Sequence, residues 1–440
     1  VNKLKRHFYF AFVMAAASIS AQPVFAADVP AEVAPANAGI SAENILRYRQ
    51  LAEKDPEQYL PQLAKLLGVQ GSTYSVVGKM KEARIPYEEA LSIYRQLSQK
   101  YPGHYLAELA GALINVGIPY EAEHRLQEAQ AGYEEALRIY RKLALNNPEM
   151  YQVKVAIALN SLSHSYVDQN RFDDAVAASE GALTIHRQLA KSQPLLYTPY
   201  LAENLTILAN VHSDAGRLKE ALVFYEEAIA LYRTLMKTNG NRHQMEMVWV
   251  LRSRGLLYRK QNRQKEAQFD FEEAMTILHQ VAGKIPELYL AMAPTMLEFL
   301  AFQYEAQQRY QDARISFEEV VQIYRQSEQA NPGSLFAQLG RSLLNLGTLY
   351  HREGRFDDAQ QAYEKAIAFL RQAAKKNPET FQAYVANAMI NLGMVYRQQK
   401  QVQSARLMLD EAISILKALP GKSPQHQADI DRANRVLQEL

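Results

Sequence analysis

The chain has 440 residues, 48% of them hydrophobic, enough to bury a large core. A formal net charge of +2 selects neither nucleic acid nor an anionic membrane surface, so an RNA-binding superhelix is disfavoured. Zero cysteines exclude disulfides, thiolate metal sites, a cysteine nucleophile and cysteine lipidation.

At the N-terminus, Lys3, Lys5 and Arg6 precede an apolar run over Phe8–Ile19, and Val24-Phe25-Ala26 offers a small-residue cleavage site. This is the layout of a signal peptide over residues 1–26. The run falls short of the ~20 residues that a membrane span requires, so cleavage rather than anchoring is expected. The mature protein is then expected in a bacterial periplasm or secreted, without a stable membrane anchor. Residues 27–40, rich in Ala, Pro and Val, are expected to be a disordered leader.

From there the chain repeats itself. Alanine recurs at Ala83, Ala129, Ala175, Ala221, Ala267, Ala313, Ala359 and Ala405, always at an interval of 46 residues. A second column holds small residues only: Gly71, Gly117, Ser163, Ala209, Gly255, Ala301, Gly347 and Gly393. Three residues later comes a ring column of Tyr74, Tyr120, Tyr166, His212, Tyr258, Tyr304, Tyr350 and Tyr396. Small residues allow two helix backbones to approach, and the ring one turn away on the same helix is expected to fill the space beside them. A bulky column includes Tyr87, Tyr133, Tyr225, Phe271, Phe317 and Tyr363, with Ser179 and Leu409 as exceptions.

One unit is seen whole in Leu343–Pro378. Leu343, Leu346, Gly347 and Tyr350 form one helical stripe, and Ala359, Tyr363, Ala366 and Leu370 form a second. Glu353-Gly354-Arg355 supplies the turn between them, with Gly354 free to take φ > 0. Proline closes most units, at Pro56, Pro102, Pro148, Pro194, Pro286, Pro332, Pro378 and Pro424, and Gly240 replaces it once, permitting a local bend. Pro61 and Pro199 fall in first turns, whereas Pro86, Pro119 and Pro294 should kink or shorten their helices.

The register assigns residues 41–55 to a lone second helix, about 59–425 to eight hairpins, and 426–440 to a polar capping helix. No composition shift marks a second domain within 41–440. The fold class is all-α, a solenoid of antiparallel helix hairpins.

The small–aromatic–alanine–aromatic spacing resembles the tetratricopeptide repeat. The usual unit is ~34 residues, and the longer one here is similar to the kinesin-light-chain-like subgroup. The resemblance implies a right-handed superhelix whose inner groove, lined by first helices, binds peptides or proteins. It places Trp249, Arg252, Arg259 and Lys260 on the groove side of the fifth hairpin, Phe302 on the sixth, Arg341, His351 and Arg352 on the seventh, and Arg397 on the eighth. Arg252 shares a column with Glu298, and Arg259 with Glu305, so these are expected to pair between repeats. Arg341, Arg352 and Arg397 are left without evident partners, favouring an acidic or carboxylate-ending ligand. The asparagine–lysine clamp of chaperone-tail-binding members is not reproduced.

Nothing points to catalysis. The recurrent Glu-Glu pairs, such as Glu88-Glu89, Glu134-Glu135 and Glu272-Glu273, are adjacent on a helix and read as a solvated face, with Glu134 and Arg138 spaced as an i, i+4 pair. The histidines lack metal-ligand spacing, and His212 occupies the packing column of rings. Asp168 and Asp214 lie one repeat apart, too far to share calcium closely. The leading expectation is therefore an exported, non-enzymatic interaction scaffold that needs no cofactor and no nucleic acid. The alternative is a structural or self-assembling envelope protein.

Overall fold

The computed structural model describes residues 42–76, 78–420 and 423–440. The signal peptide and leader expected over 1–40 lie outside the described residues. The chain divides into two compact units, with the boundary between Thr238 and Asn239. That boundary falls next to Gly240, where the usual proline is missing.

The first unit contains α1 (Ala42–Lys54), α2 (Pro56–Val76), α3 (Met80–Lys100), α4 (Leu106–Ala122), α5 (Leu126–Asn146), α6 (Pro148–Asp168), α7 (Phe172–Ser192), α8 (Pro194–Asp214) and α9 (Leu218–Asn239). The second opens on a 3-10 turn over Gly240–His243. It continues with α10 (Gln244–Lys260), α11 (Gln264–Val281), α12 (Pro286–Ala306), α13 (Tyr310–Ala330), α14 (Phe336–Arg352), α15 (Phe356–Lys376), α16 (Pro378–Gln398), α17 (Val402–Ala418) and α18 (Pro424–Gln438). There are no strands among the described residues. Even-numbered helices are the first of each hairpin and odd-numbered helices the second, so each unit is an all-α stack of hairpins.

The steric reason for the small column is visible within single hairpins. A Cβ added to Gly71 would lie 2.5 Å from the Tyr87 ring, one on Gly255 2.5 Å from Phe271, and one on Gly347 2.7 Å from Tyr363. In these hairpins the bulky ring of the second helix therefore seats directly on the bare backbone of its own first helix. It is not the ring one turn along the first helix that fills this space. The third hairpin solves the problem otherwise. Ser163 faces it without a ring, donating to the Ala175 carbonyl at 2.7 Å. Asn204 donates to Asn160 Oδ1 at 2.7 Å and to Ser179 Oγ at 3.3 Å, filling the space with a buried polar layer. His186 is buried nearby in sequence on α7, and burial pushes its imidazole down to about 4.

The first-helix rings have a different task. Tyr120 donates to Glu88 at 3.0 Å, Tyr304 to Glu272 at 2.9 Å, Tyr350 to Glu318 at 2.7 Å and Tyr396 to Glu364 at 3.1 Å. Each of these hydroxyls ties a hairpin to the one before it. Turn arginines lie over rings of this column, Arg125 on Tyr120, Arg171 on Tyr166, Arg309 on Tyr304 and Arg355 on Tyr350, at 4.0, 4.4, 4.3 and 4.5 Å from the ring centroids. His212 takes the ring position once, buried and stacked on Phe224 at 5.3 Å, as its column predicts.

The glutamate at the second position of these acidic pairs bridges successive second helices at four places. Arg49 meets Glu89 at 2.6 Å, Arg95 meets Glu135 at 3.1 Å, Arg187 meets Glu227 at 2.7 Å and Arg371 meets Glu411 at 2.6 Å. The pairs are thus an inter-hairpin lattice rather than a free solvated face, and Glu134 accepts from Gln130 at 2.8 Å. Individually such exposed bridges contribute only ~0.2–1 kcal/mol.

Each hairpin turn closes as a Schellman motif. In the seventh, Arg355 N–H donates to the Tyr350 carbonyl at 2.9 Å, and Gly354 has φ 74°. The same left-handed position is held by His124, Asn170, Asn262, Gln308 and Lys400 at φ 59–61°. Proline, where present at Pro56, Pro148, Pro194, Pro286, Pro378 and Pro424, starts the next first helix instead of ending the previous one. Helices α3, α4 and α12 run through Pro86, Pro119 and Pro294 without a break, so the expected shortening there does not occur. On α18 the exposed residues include Asp431, Asn434, Arg435 and Gln438, a polar face.

Candidate functional site

The residues expected to line a groove all lie in the second unit, on α10, α12, α14 and α16. The 46-residue register stacks Leu256, Phe302, Thr348 and Met394 in one column of these first helices. The next turn carries Arg259, Glu305, His351 and Arg397 in a second column. Phe302 is the apolar anchor of this face, 46% exposed, with its ring edge-on to Phe317 at 5.3 Å. Leu256, Thr348 and Met394 are half-buried beside it in the register.

Two expected anchors are not available. Trp249 and Arg252 are buried, with the guanidinium 5.9 Å from the indole. Arg252 does not pair with Glu298. Its Nε lacks a hydrogen-bond partner, and burial pushes its pKa down to about 10. Glu298 instead accepts from Tyr324 at 3.1 Å and Ser342 at 3.4 Å. The physical reason is that residue 252 faces the helix packing, where a long side chain is covered rather than presented.

The three arginines left without partners by the sequence reading all have one. Arg352 pairs with Glu305 at 3.0 Å and lies 6.0 Å from the Tyr310 ring. Arg397 pairs with Glu439. Arg341 lies over Tyr384 at 5.4 Å. Glu305 therefore serves Arg352 and not Arg259. A long side chain can reach a neighbouring repeat one residue or one turn off its own level, so a partner need not share its column. Tyr384 and Glu439 are the contributors that column logic missed, since they lie 43 and 42 residues from Arg341 and Arg397.

His351 sits against Phe356 at 5.6 Å, and its pKa is lowered, first by burial and then by the Arg397 charge. Arg259 and Lys260, at the end of α10, are exposed, and neither makes an ion pair among the described residues. The face thus carries open cations at the α10 end, an exposed ring on α12, and charges closed into pairs over α14–α18.

No group of three or more His, Cys, Asp or Glu side chains among the described residues is placed to hold a metal ion. No described helix is long and apolar enough to cross a membrane.

Stacked antiparallel hairpins with small-on-ring contacts define a helical-repeat protein. Family models described as tetratricopeptide repeat match residues 155–193 and 205–241, and residues 292–372 and 342–418. The chain carries tetratricopeptide repeats over these residues. No curated protein matches it in sequence. Among solved structures it is similar to BtubC (BKLC) from P. vanneervenii, at 22% identity and TM-score 0.37, covering 57% of this chain and 94% of that one. It is also similar to TPR-like repeats ascribed to a kinesin light chain of Podosopora anserina, at 17% identity and TM-score 0.38, covering 49% and 94%. YrrB, a TPR protein with an unusual peptide-binding site, matches at 17% identity and TM-score 0.35, covering 58% and 98%.

Proposed function

We propose that this protein is an interaction scaffold that holds an extended peptide segment along the first-helix face of its second unit. The observation that carries this reading is the pairing of an exposed Phe302 with uncommitted cations at Arg259 and Lys260. An isolated exposed ring on a packed helical face is the type of feature that supplies binding energy, and free cations beside it select register. The segment best matched to this face has an apolar side chain for Phe302 and acidic residues toward Arg259 and Lys260. The acidic preference rests on that end alone, because Arg352 and Arg397 already have carboxylate partners. The reading requires no cofactor and no catalytic step. Export belongs to the same proposal and rests on the sequence of residues 3–26. Mass spectrometry of the protein's N-terminus in an envelope fraction tests it, and an intact Lys3–Arg6 segment would refute it.

Peptides selected by display against the full chain test the groove. Phe302→Glu is expected to weaken the selected peptides by about tenfold or more. Arg259→Glu with Lys260→Glu is expected to weaken only those with acidic residues. Leu407→Glu, on the exposed side of a second helix, should leave binding unchanged. Peptides indifferent to Phe302→Glu would show that this face is not the binding surface.

A further inference from the structure

The lattice of bridges between second helices contains one inversion. At the position held by Glu89, Glu135, Glu227, Glu319 and Glu411, the seventh hairpin carries Lys365. The base that would meet it, 40 residues earlier, is Arg325. In place of an acid facing a base, two cations therefore flank the cleft between α13 and α15. The third hairpin also lacks the acid, but there Gly181 simply deletes it.

Around this inversion lies a cavity of about 420 Å³. In the first unit, where Arg95 is bridged to Glu135, the cleft at the same repeat position measures about 280 Å³. Arg325 and Lys365 both line the larger cleft, and neither has an acidic partner among the described residues. Gln322, Gln326 and Gln361 line it too, with side-chain amides that make no hydrogen bond among the described residues. The two acids on its edge are already engaged. Glu318 accepts from Tyr350 at 2.7 Å and Arg314 at 2.9 Å, and Asp358 pairs with Arg355 at 2.6 Å.

We propose that this cleft is a carboxylate-binding site, in which a ligand supplies the acid that the repeat omits. A carboxylate between Arg325 and Lys365 would supply the bridge formed at hairpins that carry the acid, with the glutamine amides as additional donors. A cavity of this size accommodates a short aliphatic stem as well as the charged head. The ligand is thus either an acidic side chain of a partner protein or a small free carboxylic acid. The site is built from second helices and is independent of the first-helix groove.

The test is calorimetric titration of the full chain with two probes, glutarate and acetyl-hexaglutamate amide, at about 20 mM salt, where screening is weak. Saturable binding of either probe is expected, and the tighter one identifies the source. Lys365→Glu installs the usual acid and is expected to weaken binding by more than about tenfold, with an unfolding temperature equal to or above that of the parent. Lys365→Gln keeps the site open with one cation fewer and should weaken binding several-fold. Lys375→Glu, the same charge change on the same helix, should change affinity less than about twofold. Absence of binding by both probes up to about 10 mM would overturn the proposal, as would binding that survives Lys365→Glu.

Discussion

Replacing Gly347 by alanine tests the packing rule on which the whole stack depends. Gly347 lies inside α14, where glycine normally costs about 1 kcal/mol relative to alanine, so the substitution alone should stabilise the helix. The added Cβ, however, would stand 2.7 Å from Tyr363 Cε1, and that ring is itself 1% exposed. Overpacking a closed core costs ~1–3 kcal/mol, which outweighs or cancels the helix gain. The expected net effect is a loss of about 0–2 kcal/mol. Gly68, inside α2 with nothing within 4 Å of its added Cβ, is the internal control. There the same substitution should gain about 1 kcal/mol. Ala209 and Ala301 show that some hairpins have adjusted their spacing to a methyl group, which is why the expected penalty is moderate. Native-state hydrogen exchange of the amides in α14 and α15, and separately in α2 and α3, reads each effect in its own hairpin. If Gly347→Ala protects its hairpin as much as Gly68→Ala does, the ring-on-glycine argument is wrong.

Two further predictions concern the turn and the lattice of bridges. Lys400 holds a left-handed backbone at φ 60°, so Lys400→Gly should raise stability by about 0.5–1 kcal/mol, whereas Gly354→Ala should lower it by about 1 kcal/mol. Thermal unfolding of the two variants would show opposite shifts, and shifts of the same sign would refute the assignment. His279 takes an arginine's place in the lattice, contacting Glu319 at 2.7 Å, and its pKa is raised chiefly by that hydrogen bond. A raised pKa contributes stability that is complete below the unfolded value near 6.5 and is lost as pH climbs through the higher folded value. His279→Arg should abolish this decline, measured as the pH slope of the unfolding temperature between about 5 and 8. An unchanged slope would exclude the bridge as its source.

Much of the fold is legible without coordinates because its contacts repeat at a fixed spacing. Gly347 sits against Tyr363 of its own hairpin, and Gly71, Gly117 and Gly255 sit likewise against Tyr87, Tyr133 and Phe271. The ring column at Tyr350 was legible as packing, but its hydroxyl bond to Glu318 was not, since that contact crosses from one hairpin to the preceding one. The recurrent glutamates looked solvated for the same reason. A chain read one helix at a time shows what is on a face, not what stands opposite.

The candidate groove divides along the same line. The family resemblance places Phe302 on the groove side, and it is exposed there. The same resemblance places Trp249 and Arg252 beside it, and they are buried instead. Arg352 and Arg397 look free in the sequence because their partners stand off the 46-residue column, Glu305 by one residue and Glu439 by about one helical turn. Sequence alone decides hairpin identity and turn length, since these depend on local spacing, whereas which ring seats on each small residue is decided by how the two helices of a hairpin pack. Which charges stay open is decided only by the stacking of successive hairpins, because a charge is neutralised by whatever lies within about 4 Å in space, regardless of its distance along the chain.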